Sequence, residues 1–569
     1  MSQVDNAVPT PEQRAVIEHE GSCFVEACPG AGKTRVMVER ARGLLRDRGA
    51  GGAIAFLSFT NAAVSELESR LQRARVLPTP AFPHFVGTFD GFVWQFLIAP
   101  FGVPDCAEAP RLIPDLGKLT VGWGRKYPLK CFCPVSGNVI PHIAKQEKVE
   151  VDKVAPAVRT QAKNKWRRLF DAGKLDFAAV RRLAVALINE REMAPRLGAA
   201  LAARFGEIIV DEAQDCNPED LEIVRWLRRS GIRTTVICDP DQAIYGFRGG
   251  VGRELRAFAK EFPGTARLPM TGNFRSSRAI CCAVAAFRPG ETAPDKPLGK
   301  HRELRSPVYI LGYSGRSVPR DIGRLFRKLI EGHGLDPARC PVLATGWNAA
   351  SRAVGAPTPK KRGYLVVKVA SAVSRFHGAV DGHERRKAFE AFHEALIGPW
   401  LEDGQTYRHY LTDKAITPEC WRADMLPLIQ DLRFDPGSGE TVSTWLERAR
   451  SALASVLPDN KTPAQHLAKI SELEACLCTP ESTALTARSI HSVKGEEFPA
   501  ACLVIGTSWA KKALDFLEKG SSENTAEEVR KLYVGVSRPE QLLMIAVPNS
   551  QKERLCGRLS AFGADYVEL

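Results

Sequence analysis

SCFVEACPGAGKTRVMVERARGLL, residues 22–45, is the stretch from which the fold is read. Ser22 to Ala27 is a short apolar run, a glycine-rich turn follows, and Thr34 to Leu45 has helical periodicity, so the segment reads as strand, loop and helix. In that order, backbone amides around Gly30 to Lys33 converge at the positive end of a helix, where phosphate oxygens are favoured. Glycine is needed there because a Cβ would block close approach of the backbone. Lys33 is the candidate for the β- and γ-phosphates of ATP, and Thr34 offers a hydroxyl to Mg²⁺. Cys28, Pro29, Ala31 and Gly32 complete the loop; the strict pattern has glycine first, where this chain has Ala27.

Further apolar runs at Ala53 to Ser58, Glu207 to Val210 and Thr234 to Cys238 alternate with helical stretches, which predicts a parallel sheet with crossover helices. The run EIIV ends in DEAQD, Asp211 to Asp215, placing carboxylates at the edge of such a sheet where ligands bind. Asp211 is the candidate for Mg²⁺ and Glu212 for orienting or deprotonating the water that attacks the γ-phosphate. By itself DEAQD also fits an acidic helix N-terminus favoured by the helix dipole.

A second series of strands is expected at Val308 to Gly312, Val342 to Thr345, Ala501 to Ile505 and Leu542 to Val547. Each α/β unit is interrupted by sequence without comparable strands. The expected division is 1–96 and 205–267 for the first core, with 97–204 inserted, and 268–346 and 482–569 for the second, with 347–481 inserted. A chain of 569 residues is long enough for several domains.

The net charge of +14 and pI of about 9.1 suggest a polyanionic partner, with Lys163 to Arg168 and Lys360 to Arg362 as clusters able to meet phosphate. No apolar stretch is long enough to span a bilayer, and MSQVDNAVPTPEQ lacks the basic start and apolar core of a secretory signal, so a cytoplasmic location is expected. Fifteen scattered cysteines fit reduced thiols, and Cys131/Cys133 and Cys476/Cys478 lack the spacing of a zinc site.

Taken together and in order, ACPGAGKT, DEAQD, VICDPDQAIYGFRGG, NFRSS, IHSVKGEEF and RKLYVGVSR resemble the UvrD/Rep family of superfamily 1 DNA helicases. The resemblance implies two RecA-like parallel-sheet core domains, each interrupted by a mainly helical inserted domain. It implies that Gln13 in TPEQ reads adenine, that Phe274 stacks on the base with Arg35 opposite, and that Glu497 binds the ribose. Gln242 corresponds to the γ-phosphate sensor, and Arg275 and Arg538 to arginine fingers from the second core.

The same resemblance makes Phe59, Thr60 and Asn61 in SFTNAA, Thr88 and Phe89 in GTFDGF, Tyr245 and Phe247 after Gln242, and His491 the candidate DNA contacts. For any one of these aromatics, a place in the core is the competing reading. The implied partner is single-stranded and tailed duplex DNA, tracked 3′ to 5′, with no membrane. Residues 539–569 hold no carboxylate-rich cluster, so cleavage is expected to need a separate nuclease subunit. Two alternatives remain: an RNA-directed helicase, and an ATP-dependent DNA sensor or regulatory subunit. For the latter, the chain's size also resembles the helicase-like subunit of Gabija anti-phage systems.

Overall fold

Apolar runs closed by polar turns become strands buried on both faces, as a parallel sheet covered by helices requires. The computed structural model describes residues 8–47, 52–104, 106–113, 116, 119–244, 252–288, 293–315, 317–355, 364–379, 382–401, 405–470, 473–477, 485–519 and 523–569. Cys23–Ala27 (β1), Ala53–Ser58 (β2), Phe85–Thr88 (β3), Phe205–Val210 (β4), Arg233–Cys238 (β5) and Arg267–Met270 (β6) form one sheet. Its order is β6-β1-β5-β4-β2-β3, and every pairing is parallel.

The second sheet contains Val308–Tyr313 (β7), Val342–Ala344 (β8), Ala487–Ser489 (β9), Phe498–Val504 (β10), Pro539–Pro548 (β11) and Tyr566–Glu568 (β12). It runs β9-β8-β10-β11-β7-β12, again wholly parallel. The fold is therefore α/β, as the sequence implies. β3, β6, β9 and β12 escaped the sequence reading because all four are edge strands whose residues, Met270 apart, are half-buried or exposed, without an apolar run.

By packing, the chain divides into two units. Met1–Pro100, Arg181–Ala356 and Leu485–Leu569 form the unit that holds both sheets, here called its first and second lobes. Phe101–Val180 and Pro357–Ala484 form the other. That unit is mainly helical, with one apolar core around Phe132, Val158 and Trp166 and another around Phe392, Trp421 and Trp445. Trp445 is fully buried and satisfies its indole N–H on the Leu432 carbonyl at 2.7 Å. Lys360 to Arg362 lie outside the described residues.

The phosphate-loop helix, Lys33–Asp47, is fastened to the first sheet by a buried ion pair that the sequence did not reveal. Arg40 donates from Nε and Nη2 to Glu207 on β4 at 2.6 and 3.2 Å, and neither side chain is more than 1% exposed. Arg40 Nη1 also donates to the Val16 and His19 carbonyls, and Thr235 Oγ1 donates to Glu207 at 2.7 Å. Such a pair is tolerated inside a core because nearly every lone pair finds a donor. The described cysteines are all free thiols; Cys478 lies outside the described residues. Among the described residues no helix is long and apolar enough to cross a membrane.

Candidate nucleotide site and nucleic-acid edge

The loop from Ala27 to Thr34 leaves the carboxyl end of β1 and turns through positive φ at Gly30 (+73°) and Gly32 (+79°) before the helix begins. Gly30 is also closely covered: a Cβ there would lie 2.6 Å from Asn273 Oδ1 and 2.8 Å from Arg275 Cβ. The Phe274 amide donates to the Gly30 carbonyl at 2.8 Å, so NFRSS rests on the phosphate loop. Gln13 does too. It is 3% exposed, its Nε2 donates to the Ala31 carbonyl at 2.9 Å, and its Oε1 accepts from the Thr10 amide in a reciprocal cap. Arg35 and Phe274 are both half-buried.

Two carboxylates face Lys33. Glu212 Oε1 lies 3.4 Å from Lys33 Nζ, and Glu212 holds a left-handed backbone (φ 56°) unusual for a residue with a side chain. A conformation of that kind costs about 1 kcal/mol or more and persists where the surroundings fix it, often at functional sites. Burial alone would lower the Lys33 pKa, but Glu212, Asp211 and Asp239 outweigh it and raise it, keeping the ammonium charged. Burial would raise Glu212 as well, yet Lys33 and Lys494 hold its carboxyl well below the usual range. Asp211 moves the opposite way, pushed up by burial and then by Glu212.

The donors present fit a hard divalent cation. Asp211 Oδ1 is buried without a hydrogen-bond partner among the described residues, and oxygen ligands of this kind suit Mg²⁺. Asp211 and Thr34 are the residues that would hold it.

The second lobe supplies the opposite wall. Arg538, 2% exposed, donates from Nη2 to Gln242 Oε1 at 3.1 Å, while Gln242 Nε2 donates to Asp239 Oδ2 at 2.8 Å. Burial and then the neighbouring Arg275 pull the Arg538 pKa down to about 10. Arg275 donates to the Ser537 carbonyl at 2.8 Å and to Glu497 Oε1 at 2.5 Å. Glu497 is thus paired with an arginine-finger candidate; burial raises its pKa, and Arg275 more than reverses this.

One residue at this seam was quoted within a motif but given no role. Lys494, in IHSVKGEEF, reaches from the second lobe to Asp215 Oδ2 at 2.5 Å and Glu212 Oε2 at 3.3 Å, with 6% of its side chain exposed. The signal was a lysine beside a motif histidine, but nothing local in the sequence reveals a partner 279 positions away.

The candidate nucleic-acid residues separate into groups. Ser58 and Thr88 are register partners on β2 and β3, which brings SFTN and GTF to one edge. Thr60 Oγ1 accepts from the Ala63 amide and Thr88 Oγ1 from the Gly91 amide, so both hydroxyls cap helices, while Asn61 is exposed. Phe59 and Phe89 stack on each other, centroids 5.5 Å apart and planes at 10°, with Phe59 8% and Phe89 0% exposed. In this conformation those rings pack against one another. Tyr245 and Phe247 lie outside the described residues. His491 is half-buried, with its pKa lowered by burial and then by Lys531, and it meets the Ile244 backbone just before that segment.

The UvrD/REP helicase N-terminal domain family matches residues 9–102 and 139–263, which include the phosphate loop and DEAQD. Over those residues this chain is similar to the N-terminal domain of UvrD/REP helicases. Similar proteins include the ATP-dependent DNA helicase UvrD1 of Mycobacterium tuberculosis, 29% identical over 48% of this chain and 38% of the relative. The ATP-dependent DNA helicase PcrA of Staphylococcus aureus is 26% identical over 50% of this chain and 40% of its own. The putative ATP-dependent DNA helicase YjcD of Bacillus subtilis is 23% identical over 96% and 80%. The match thus spans well under half of the UvrD1 and PcrA relatives' length, whereas the YjcD match runs through nearly the whole of this chain.

Proposed function

We propose that this chain is an ATP-dependent single-stranded DNA translocase and 3′–5′ DNA helicase. The observation that carries the reading is the convergence of two lobes on one phosphate loop: Lys33 and Glu212 from the first, Arg275, Lys494 and Arg538 from the second. A nucleotide clasped at such a seam is sensed by both sides. The polarity rests on the family resemblance alone.

In this reading, Lys33 and the amides after Gly30 hold the ATP phosphates, and Gln13, Arg35 and Phe274 hold the base. Mg²⁺, held by Thr34 and Asp211, neutralises charge on the phosphate oxygens when bound. Glu212, ionised across the neutral range, takes a proton from the attacking water. Arg275 and Arg538 stabilise charge on the transferring phosphoryl, releasing Glu497 and exchanging Gln242 as partners.

Coupling to DNA runs through the segment after Gln242. Arg530 of the second lobe donates to the Ala243 carbonyl at 2.6 Å, and Ile244 is buried in the second lobe's core. A change at Gln242 is therefore mechanically tied to the other lobe, next to the candidate stacking residues Tyr245 and Phe247. Thr60, Asn61 and Thr88 supply polar contacts at the sheet edge with His491 beside them, and Phe59 and Phe89 reach bases when their mutual stack opens.

The test is strand displacement on 3′-tailed, 5′-tailed and blunt duplexes, with ATP hydrolysis followed in parallel. Displacement of the 3′-tailed substrate alone is expected. DNA-stimulated hydrolysis without displacement would replace the motor by a DNA-sensing subunit, and RNA-selective stimulation would replace the substrate.

A further inference from the structure

In the mainly helical unit, the helix Pro156–Asp171 divides its surface into two stripes. Val158, Ala162 and Trp166, spaced by four, are buried in the apolar core, and the Trp166 indole donates to the Phe132 carbonyl at 3.1 Å. The flanking stripe lines an open groove of about 940 Å³, together with a tryptophan from another segment. Its apolar floor includes Ala157 and Leu169, and its cations are Lys165, Arg168 and Lys174; among the described residues no carboxylate lines it. The helix as a whole carries Arg159, Lys163, Lys165, Arg167 and Arg168 against the single acid Asp171.

The tryptophan is Trp123, 68% exposed at the tip of an antiparallel hairpin whose strands are Thr120–Val121 and Tyr127–Pro128. Val121 and Tyr127 anchor the hairpin in the core, so the tip cannot withdraw the ring into it. Gly122 has φ +106°, and a Cβ there would collide with the Arg125 carbonyl, so the turn depends on glycine. The helix braces the turn: the Gly122 amide donates to Gln161 Oε1 at 2.7 Å and Lys165 Nζ donates to the Thr120 carbonyl at 3.1 Å. An exposed indole on a braced support needs little further ordering when a flat ligand arrives, and covering its hydrated face removes apolar surface from water.

We propose that this groove is a second binding site for single-stranded DNA, with a base stacked on Trp123 and the adjoining phosphates held by Arg168 and Lys174. The inference rests on the DNA-motor reading but adds a contact outside its motifs. An unstacked base presents the planar face that an exposed indole takes up, whereas a duplex keeps its bases stacked inside. The surrounding cations make a polyanion the complementary partner.

The test uses the full chain and a fluorescein-labelled oligothymidylate. Trp123→Ala is expected to weaken binding on the order of tenfold, as loss of one stacked base does, while leaving DNA-independent ATP hydrolysis unchanged. The pair Arg168→Gln and Lys174→Gln is expected to reduce the slope of log K against log salt by about 1.4, two phosphate contacts on a single strand. With a 5-bromodeoxyuridine-substituted strand, photocrosslinks are expected in the peptide containing Trp123.

Wild-type affinity in Trp123→Ala, with crosslinks only elsewhere, would overturn the proposal while the motor reading stands. An equal loss of blunt-duplex binding would overturn it in favour of phosphate contacts alone. If the wild-type chain binds no single strand and its hydrolysis is not stimulated, the motor reading fails first, and this site with it.

Discussion

Lys494→Met removes the cation that the second lobe extends to Glu212 and Asp215, and its effect can be worked out from the contacts. The lysine is 6% exposed and Asp215 1%, so the substitution leaves carboxylates in a poorly solvated place. Breaking a buried pair from one side costs about 3–5 kcal/mol. The lower end applies, because Glu212 keeps Lys33 at 3.4 Å and accepts a hydrogen bond from Gln214 at 2.6 Å. About 3 kcal/mol is roughly 10²-fold in the equilibrium for lifting the loop from the first lobe. The Glu496 amide, bonded to the Val493 carbonyl at 3.0 Å, and the Phe498 amide, bonded to the Arg538 carbonyl at 3.2 Å, report that opening.

Hydrogen exchange at those two amides should accelerate by about that factor in the variant, while amides of β10 from Cys502 to Val504 stay protected. The pH dependence has a definite sign. Glu212's folded pKa is depressed from 4.5 to about 2, so its share of the lock is present above the unfolded value and is lost as pH falls toward the folded one. The ratio of variant to wild-type exchange should therefore shrink below pH 4.5. Exchange within about threefold of wild type at pH 7, or a ratio indifferent to acid, would refute the claim that this lysine holds the lobes together.

Glu212→Gln should retain nucleotide binding and lose DNA-stimulated turnover by about 10²–10⁴-fold, measured by steady-state hydrolysis and equilibrium nucleotide titration; unchanged turnover rejects its role as base. Arg538→Ala should leave DNA affinity intact and lower hydrolysis by about 10³-fold, and normal hydrolysis would argue against a site split between lobes. Arg40→Met strands Glu207, which is fully buried, and should destabilise the sheet-bearing unit by about 3–5 kcal/mol in urea unfolding; a loss below about 1 kcal/mol would mean the pair is dispensable. Gly30→Ala places a methyl against Asn273 and Arg275 at a positive φ, so nucleotide affinity should fall sharply even though the change is one methyl; wild-type affinity would show the loop is not confined there.

What could be read from the chain alone was whatever short-range pattern encodes. Central strands such as AIAFLS are legible because burial on both faces demands an apolar run, and the phosphate loop because glycine, lysine and threonine must stand at fixed spacing. Edge strands such as β3 and β6 were not legible, since half-exposed positions place little demand on residue type. Pairings across long separations were invisible for another reason. Arg40 with Glu207, Lys494 with Asp215 and Arg530 with the Ala243 carbonyl are each made by ordinary charged residues whose partners only the fold selects. The stacking of Phe59 on Phe89 belongs here too: an aromatic beside a motif reads the same whether it faces a neighbour or a groove.

In the proposed mechanism, Asp239 is the group that ties nucleotide state to lobe position. Its Oδ2 accepts from Gln242 Nε2 at 2.8 Å and from the hydroxyl of Tyr533 at 3.3 Å, and Tyr533 lies in the second lobe's core. Tyr533 accepts in turn from Arg288, which also donates to Asp295 at 2.8 Å. Burial and then Asp239 push Asp241, on the same loop, up to about 6, while burial raises Asp295 to about 6 against the pull of Arg288. Moving Gln242 toward a phosphate therefore disturbs a buried network in which Tyr533, Arg288 and Asp295 belong to the opposite lobe. Such networks hold best when complete, because each orphaned polar group bears its full desolvation cost. The seam therefore favours discrete arrangements over gradual ones, the property a stepping motor requires and a simple nucleotide-binding domain does not.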